Sequence, residues 1–295
     1  MMLKPGTLWE KVQARAVQAL QTGALQSLPT NYELLEENGI PFIVRMLANL
    51  ARKEAAQQQA APNPDFDPFL PYDPALFVAD LSDTHVCLLN KFNVVEHHLL
   101  IVTRAFEEQE RLLNLQDFAA LWTCMREFDG LAFYNGGQVA GASQRHKHLQ
   151  YVSLPLGPDG QALPMERVLA TAHFQGSIGC APSLPYVHAI ARLPTDEATA
   201  PLDAAPLLLT TYRTLLTSVG LAPEANGGDR QPGPYNLLTT RRWMLIAPRA
   251  QEKFGSISVN SLGFAGSLLV KNHEEMALVK NLGPLNVLKG VGVAR

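Results

Sequence analysis

Two strand-like runs, Thr84–Asn90 (THVCLLN) and His97–Thr103 (HHLLIVT), are separated only by KFNVVE. A connection this tight sets the two runs side by side. A helix follows over Gln116–Phe128, with Phe118, Leu121, Trp122 and Met125 on one face. Leu131–Asn135 reads as a third strand and His148–Leu154 as a fourth, with the small-residue loop GGQVAGASQR between them. Tight strand pairs with a packed helix predict an α+β unit, not regular βαβ winding.

The flanking sequence is less regular. Leu8–Gln21 reads as a helix with Leu8, Val12, Ala16 and Leu20 at helical spacing and Gly23 as its stop. Pro41–Leu50 holds a short strand-like run. Glu54–Pro74, rich in Ala, Gln and Pro and ending NPDFDPFLPYDP, reads as an extended surface loop. In the second half, Pro- and Gly-rich stretches at 157–164 and 194–206 read as irregular. A helix is expected over Leu207–Val219, and a hairpin over Tyr235–Thr240 and Trp243–Ala247 with Arg241 and Arg242 at its turn. Gly266–Lys271 reads as a strand, and His273–Asn281 as a helix ended by Gly283-Pro284. No internal repeat is visible.

Composition narrows the function classes. With 24 basic and 27 acidic residues the formal net charge is −3, which argues against a general nucleic-acid binder. Local lysines can still make a positive cleft for a small anion. Cys87, Cys124 and Cys180 are far apart and form no C-x-x-C pair, which argues against a disulfide framework and suits a reducing cytoplasm. Cys87 and Cys124 lie in apolar runs, as core residues do. The N-terminus MMLKPGTLWEKVQ has no apolar signal core, and no apolar run approaches the ~20 residues of a membrane span. A soluble protein with no membrane partner is expected.

The chemistry concentrates in His146-Lys147-His148-Leu149-Gln150. Alternate side chains of a strand share a face, so His146, His148 and Gln150 point one way and Lys147, Leu149 and Tyr151 the other. The preceding loop supplies Gly136, Gly137, Gly141, Ser143 and Gln144, whose small size and donors suit phosphate oxygens. A neutral imidazole is a good nucleophile towards phosphorus. Two other readings stay open from the residues alone. One is a merely polar strand face. The other is a metal site, which needs a third ligand such as His97, His98, His173 or His188. Arg241 and Arg242 suit an exposed turn as well as a phosphate contact, and Phe133 and Tyr134 suit a core as well as an adenine stack.

The segment GASQRHKHLQYVSLP (141–155), with FYNGG before it, resembles the active-site segment of the diadenosine tetraphosphate phosphorylases, or ATP adenylyltransferases, of the histidine triad superfamily. LLNKFNVVEHHLLIVTR (88–104) resembles their substrate-binding strand pair. YNLLTTRRWMLIAPR (235–249) and NSLGFAGSLLVK (260–271) resemble their C-terminal half. The resemblance implies a mostly antiparallel sheet with flanking helices, extended by a C-terminal half that completes the nucleotide site. Regions 1–175 and 176–295 are expected to pack as one unit. It implies His148 as nucleophile, His146 as the residue that orients the site, and Gln150 as donor to a non-bridging phosphate oxygen. Lys53, Asn90, Lys91, Asn135, Gly141, Ala142, Ser143, Gln144, Asn260, Ser261, Leu262, Ser267 and Lys271 fall at substrate-binding positions. The family's fungal members carry methionine where this chain has Ser267.

The implied reaction is reversible phosphorolysis of diadenosine tetraphosphate to ATP and ADP through an adenylyl-histidine. The implied partners are these nucleotides and phosphate, with no tightly bound cofactor and at most a divalent ion such as Mg²⁺ arriving with the nucleotide. Three rivals are a histidine triad hydrolase, a hexose-1-phosphate uridylyltransferase and a non-catalytic dinucleotide sensor. The hydrolases typically carry a third histidine where this chain has Gln150, and the uridylyltransferases often carry cysteine metal ligands absent here.

Overall fold

The computed structural model describes residues 3–48, 66–157, 163–224 and 228–295. Its centre is a ten-stranded sheet. The first five strands are β3 (Phe77–Asp80), β4 (His85–Leu89), β5 (Leu99–Thr103), β6 (Gly130–Gly136) and β7 (His148–Ser153). The other five are β8 (His173–Gln175), β9 (Ile178–Cys180), β10 (Ala189–Arg192), β11 (Tyr235–Thr239) and β12 (Trp243–Pro248). The spatial order is β3-β4-β5-β7-β6-β11-β12-β10-β9-β8, and every pairing in it is antiparallel. The expected α+β class and antiparallel sheet are what the chain adopts.

The order conceals a repetition that the sequence does not show. Outward from the β6–β11 junction, one half runs β6-β7-β5-β4-β3 and the other β11-β12-β10-β9-β8. Helix α2 (Leu115–Met125) precedes β6, and helix α4 (Pro201–Ser218) precedes β11. The connectivity of each half is therefore the same. Only the first half carries histidines at the head of its hairpin's second strand. At the head of β12 the chain reads Arg241, Arg242, Trp243.

Helices cover one face. α1 (Leu8–Thr22) buries Leu8, Val12, Ala16 and Ala19, while Leu20, expected in that stripe, is 52% exposed. Gly23 ends the helix in the left-handed region at φ 77°, and its N–H donates to the Leu20 carbonyl. α2 begins with a capping box between Asn114 and Asp117 and buries Phe118, Leu121, Trp122 and Met125. α1, α2 and α4 form one core with Leu149 and Tyr151 of β7. Cys87 and Cys124 are buried in that same core.

The second face is partly covered by a smaller sheet and the C-terminal helices. That sheet is β1 (Thr30–Glu37), β2 (Ile40–Leu47) and β15 (Ser267–Val270), with β15 parallel to β2. A short hairpin, β13 (Lys253–Phe254) and β14 (Ile257–Ser258), leads into α5 (Ser261–Phe264), followed by α6 (His273–Leu282) and α7 (Pro284–Val291). α3 (Glu166–Leu169) packs on this face as well.

Three sequence expectations shift. α4 starts at Pro201, two turns before Leu207, because Pro201 occupies the first helical position and Pro206 is absorbed within it. Gly283-Pro284 ends α6 and also starts α7, with Pro284 at the first position of the new helix. Most of the loop expected over 54–74 lies outside the described residues. Its end, 66–74, folds inward over the histidines, with Phe69 only 8% exposed. Among the described residues no helix is long and apolar enough to cross a membrane.

Lys147 shows how firmly β7 is tied down. Its side chain is fully buried, with Nζ 2.6 Å from Asp117 Oδ2 and 3.2 Å from both Glu107 Oε2 and the Leu112 carbonyl. Asp117 Oδ1 meets His85 Nε2 at 3.0 Å. Burial alone raises the Asp117 carboxyl pKa; the His85 hydrogen bond and the Lys147 charge overcome this and hold it below the ordinary value. Removing one member strands a buried charge. Asp117→Ala is expected to cost roughly 3–5 kcal/mol in urea unfolding, and adding Lys147→Met to recover part of that loss. An unchanged urea midpoint for Asp117→Ala would contradict this arrangement.

Candidate active site

The β6–β7 hairpin is regularly paired from Gly130↔Ser153 to Phe133↔Gln150 and then opens. Gln109 fills the gap. Its Oε1 accepts the His148 N–H at 2.9 Å, and its Nε2 donates to the carbonyls of Asn135 and His148. A side-chain amide thus replaces the missing rungs, and the splayed end leaves room for the loop 137–147. Nothing in the sequence near Gln109 marks it for this task, since it lies 39 residues from its partner.

The expected alternation holds. Lys147, Leu149 and Tyr151 face α2, while His146, His148 and Gln150 face the other way. All three are buried, at 1%, 4% and 8% exposure. His148 Nδ1 donates to the backbone carbonyl of His146 at 2.8 Å. A neutral imidazole carries one proton, so its lone pair is at Nε2. Burial pushes the His148 pKa down to about 4, so the ring is neutral at pH 7. This is the nucleophilic tautomer.

Gln150 is oriented by a chain of donors. Asn90 Nδ2 donates to His98 Nδ1 at 3.2 Å, and His98 Nε2 then donates to Gln150 Oε1 at 2.9 Å. Gln150 keeps its NH₂ end as a donor. Burial lowers the His98 pKa to about 4 as well, so this polarity persists at neutral pH. His98, considered from sequence as a metal ligand, is instead the partner of Gln150. Of the other candidates, His97 packs against Trp9 with the two rings tilted by 59°, buried His188 bonds the Ala181 N–H and the Tyr186 carbonyl, and His173 lies exposed on β8. Among the described residues no group of three or more His, Cys, Asp or Glu side chains is arranged to hold a metal ion.

His146 is held at both ring nitrogens. Nδ1 lies 2.7 Å from Asp67 Oδ2, and Nε2 lies 2.9 Å from the Thr103 hydroxyl and 2.8 Å from its carbonyl. Phe69 packs against both histidine rings at 5.6 and 5.4 Å between centroids. Asp67, Phe69 and Thr103 are site residues that the sequence did not reveal.

The C-terminal half reaches this region through Gly141, whose φ is +91°. A Cβ there would lie 2.8 Å from the Val259 carbonyl oxygen and 2.9 Å from Asn260 Cα. Only glycine lets the two loops meet so closely. A cleft of ≈ 120 Å³ gathers Gly141, Asn260, Ser267 and Lys271 with Glu275. Ala142 and Gln144 are half-buried and Ser143 is exposed on the same loop. Asn260 caps α5 by accepting the Leu262 N–H at 3.0 Å.

Asn135 and Ser261, expected at substrate-binding positions, bond to each other. Asn135 Oδ1 accepts from Ser261 N–H, Ser261 Oγ and Asn236 Nδ2 at 2.9, 2.7 and 3.0 Å. Both side chains are buried and bind each other, tying α5 to β6, while Asn236 joins them from β11. Lys91 is half-buried, with Nζ 5.3 Å from the Phe92 ring centroid. Lys53 lies outside the described residues. Tyr134 is core, its hydroxyl donating to the Gln109 carbonyl. A larger cleft of ≈ 780 Å³, lined by Arg192, Arg241 and Arg242, shares no residue with the histidine cluster. Arg241 pairs with Glu197 and Arg242 with Glu166, so both turn arginines are already matched by carboxylates.

A neutral histidine with its lone pair at Nε2 and an amide donor share one strand face, an arrangement that suits nucleotidyl transfer. The family comparison specifies the class. Residues 1–171 match the Ap4A phosphorylase N-terminal domain, and residues 182–294 match the ATP adenylyltransferase C-terminal domain. The chain belongs to the Ap4A phosphorylase family. It is 28% identical to diadenosine 5',5'''-P1,P4-tetraphosphate phosphorylase 2 of Saccharomyces cerevisiae, over 91% of this chain and 89% of that protein. It is 24% identical to Protein APA1 of the same yeast, over 92% of this chain and 88% of that one. The crystal structure of yeast Ap4A phosphorylase Apa2 in complex with Ap4A superposes with a TM-score of 0.75 at 24% identity, covering 99% of both chains. That similarity confirms the fold.

The depressed pKa of His148 has two separate consequences, one for stability and one for activity. Between the ordinary value of 6.5 and about 4, the unfolded chain binds a proton that the folded chain does not, so stability falls as pH drops through that window. Activity is expected to behave differently, because His148 in the fold stays unprotonated in this range. The kcat/KM for a dinucleoside tetraphosphate, measured on still-folded enzyme, is expected to stay level between about pH 7 and 5. An acid limb centred at the ordinary histidine value would contradict the assignment.

Proposed function

We propose that this chain catalyses reversible phosphorolysis of diadenosine tetraphosphate, converting it with phosphate to ATP and ADP. The observation that carries this reading is the His148 ring, neutral and with its proton committed to the His146 carbonyl. Nε2 attacks the α-phosphorus. As the N–P bond forms, the bond from that phosphorus to its bridging oxygen breaks, and ATP leaves with the electron pair. Inorganic phosphate then attacks the adenylyl-histidine, the N–P bond breaks, and ADP forms with Nε2 restored. The Gln150 NH₂ group donates to a non-bridging oxygen as charge builds at phosphorus.

Lys91, Lys271 and Lys53 serve the polyphosphate in this scheme, since several negative charges need cations placed around them. The loop from Gly141 to Gln144, with Asn260 to Leu262 beside it, cradles phosphate or ribose. Asn135 and Ser261 act by holding that cradle together. No resident cofactor takes part, and a divalent ion such as Mg²⁺ enters with the nucleotide. The three free cysteines suit a reducing compartment, the cytoplasm.

Incubation with diadenosine tetraphosphate, with and without phosphate, tests the reading. The expected result is ATP plus ADP only when phosphate is present, and loss of this activity in His148→Ala. Phosphate-independent release of AMP plus ATP would place the chain among the hydrolases, and full activity in His148→Ala would remove the nucleophile.

A further inference from the structure

We infer that Asp67 is a positioning residue for adenylyl transfer, acting through His146 to hold the His148 nucleophile. This inference rests on the covalent mechanism proposed above.

The Asp67 carboxylate is fixed before it meets the histidine. Its Oδ1 accepts the Phe69 N–H at 2.8 Å, a local turn that sets the side chain. Its Oδ2 is then 2.7 Å from His146 Nδ1. A carboxylate can only accept, so His146 Nδ1 carries a proton and donates to it. Nε2 faces the Thr103 carbonyl, also an acceptor, at 2.8 Å and the Thr103 hydroxyl at 2.9 Å. With both nitrogens engaged and the ring fully buried, the imidazole cannot rotate.

The consequence passes along the backbone. The His146 carbonyl is the acceptor for His148 Nδ1. Clamping the His146 ring steadies the residue that fixes the nucleophile's tautomer. The turn that presents Asp67 also presents Phe69, whose ring rests on both histidines. One short segment therefore both positions the pair and shields it from water.

Charge adds a second role. When Nε2 bonds to phosphorus, the His148 ring becomes cationic in a site where burial disfavours cations. The negative charge of Asp67 acts on His148 in the opposite sense to burial. It favours the cationic adduct over the free ring, and thus the covalent step over initial binding.

Asp67→Asn keeps the shape and removes the charge. Rapid-quench measurement with labelled diadenosine tetraphosphate in the absence of phosphate reads the adenylyl-enzyme directly. Both the rate of adduct formation and kcat are expected to fall roughly ten- to a hundredfold, by analogy with the loss seen for outer partners of metal-ligating histidines. KM is expected to stay near that of the native enzyme, and Asp67→Glu to restore part of the rate. Wild-type adduct formation and kcat in Asp67→Asn would overturn the inference while leaving the mechanism intact. An equal loss in Asp67→Glu and Asp67→Asn, accompanied by a lowered Tm and a reduced burst amplitude at an unchanged rate, would also overturn it, because fewer folded sites explain that result. A native enzyme that phosphorolyses without any adduct would remove the mechanism and the inference together.

Discussion

The site depends on one hydrogen bond, from His148 Nδ1 to the backbone carbonyl of His146. It chooses the tautomer, and the tautomer decides whether the exposed chemistry at Nε2 is a lone pair or a proton. Everything around it serves to keep that bond. Gln109 bridges the open end of the hairpin, Asp67 and Thr103 immobilise His146, and the Lys147–Asp117 pair anchors the opposite face of the same strand. A strand has two faces, and here one is bolted to a helix while the other presents His146, His148 and Gln150.

The fold gives this arrangement a rigid base. β7 lies inside the sheet, with β5 on one side and β6 on the other. Its neighbours supply Thr103 from β5 and Asn135 from β6, and His98 sits just ahead of β5. The sheet repeats its connectivity across the β6–β11 junction, yet the His146–His148 pair has no counterpart at the head of β12. The second half contributes differently. It folds back through α5 and β15 so that Asn260, Ser267 and Lys271 stand beside Gly141. The two matched family regions thus meet at one place.

How much of this was legible follows from the distance over which each feature is determined. Period-two alternation placed His146, His148 and Gln150 on one face correctly, because strand geometry is local. Flanking apolar runs located β4 through β7 for the same reason. β1 (TNYELLEE) was missed because it is a polar edge strand with an exposed face, and β8 to β10 because they are only three or four residues long. The first turns of α4 and all of α7 were missed because proline was read as a stop where it serves as a first helical residue. Asp67, Thr103 and Gln109 lie 79, 43 and 39 residues from the histidines they bond, and no local pattern encodes such a pairing. His98 was visible as a histidine, but its role required knowing that β5 pairs with β7.

The central claim is that transfer proceeds by two displacements through His148. The stereochemical course at the α-phosphorus tests it most directly. A diadenosine tetraphosphate analogue with a chiral phosphorothioate at that position would be converted by phosphate to the corresponding thio-ADP, and the configuration determined. Each in-line displacement inverts the centre, so two of them give net retention, the predicted result. Net inversion would mean that phosphate attacks the substrate directly, and would contradict a covalent histidine intermediate.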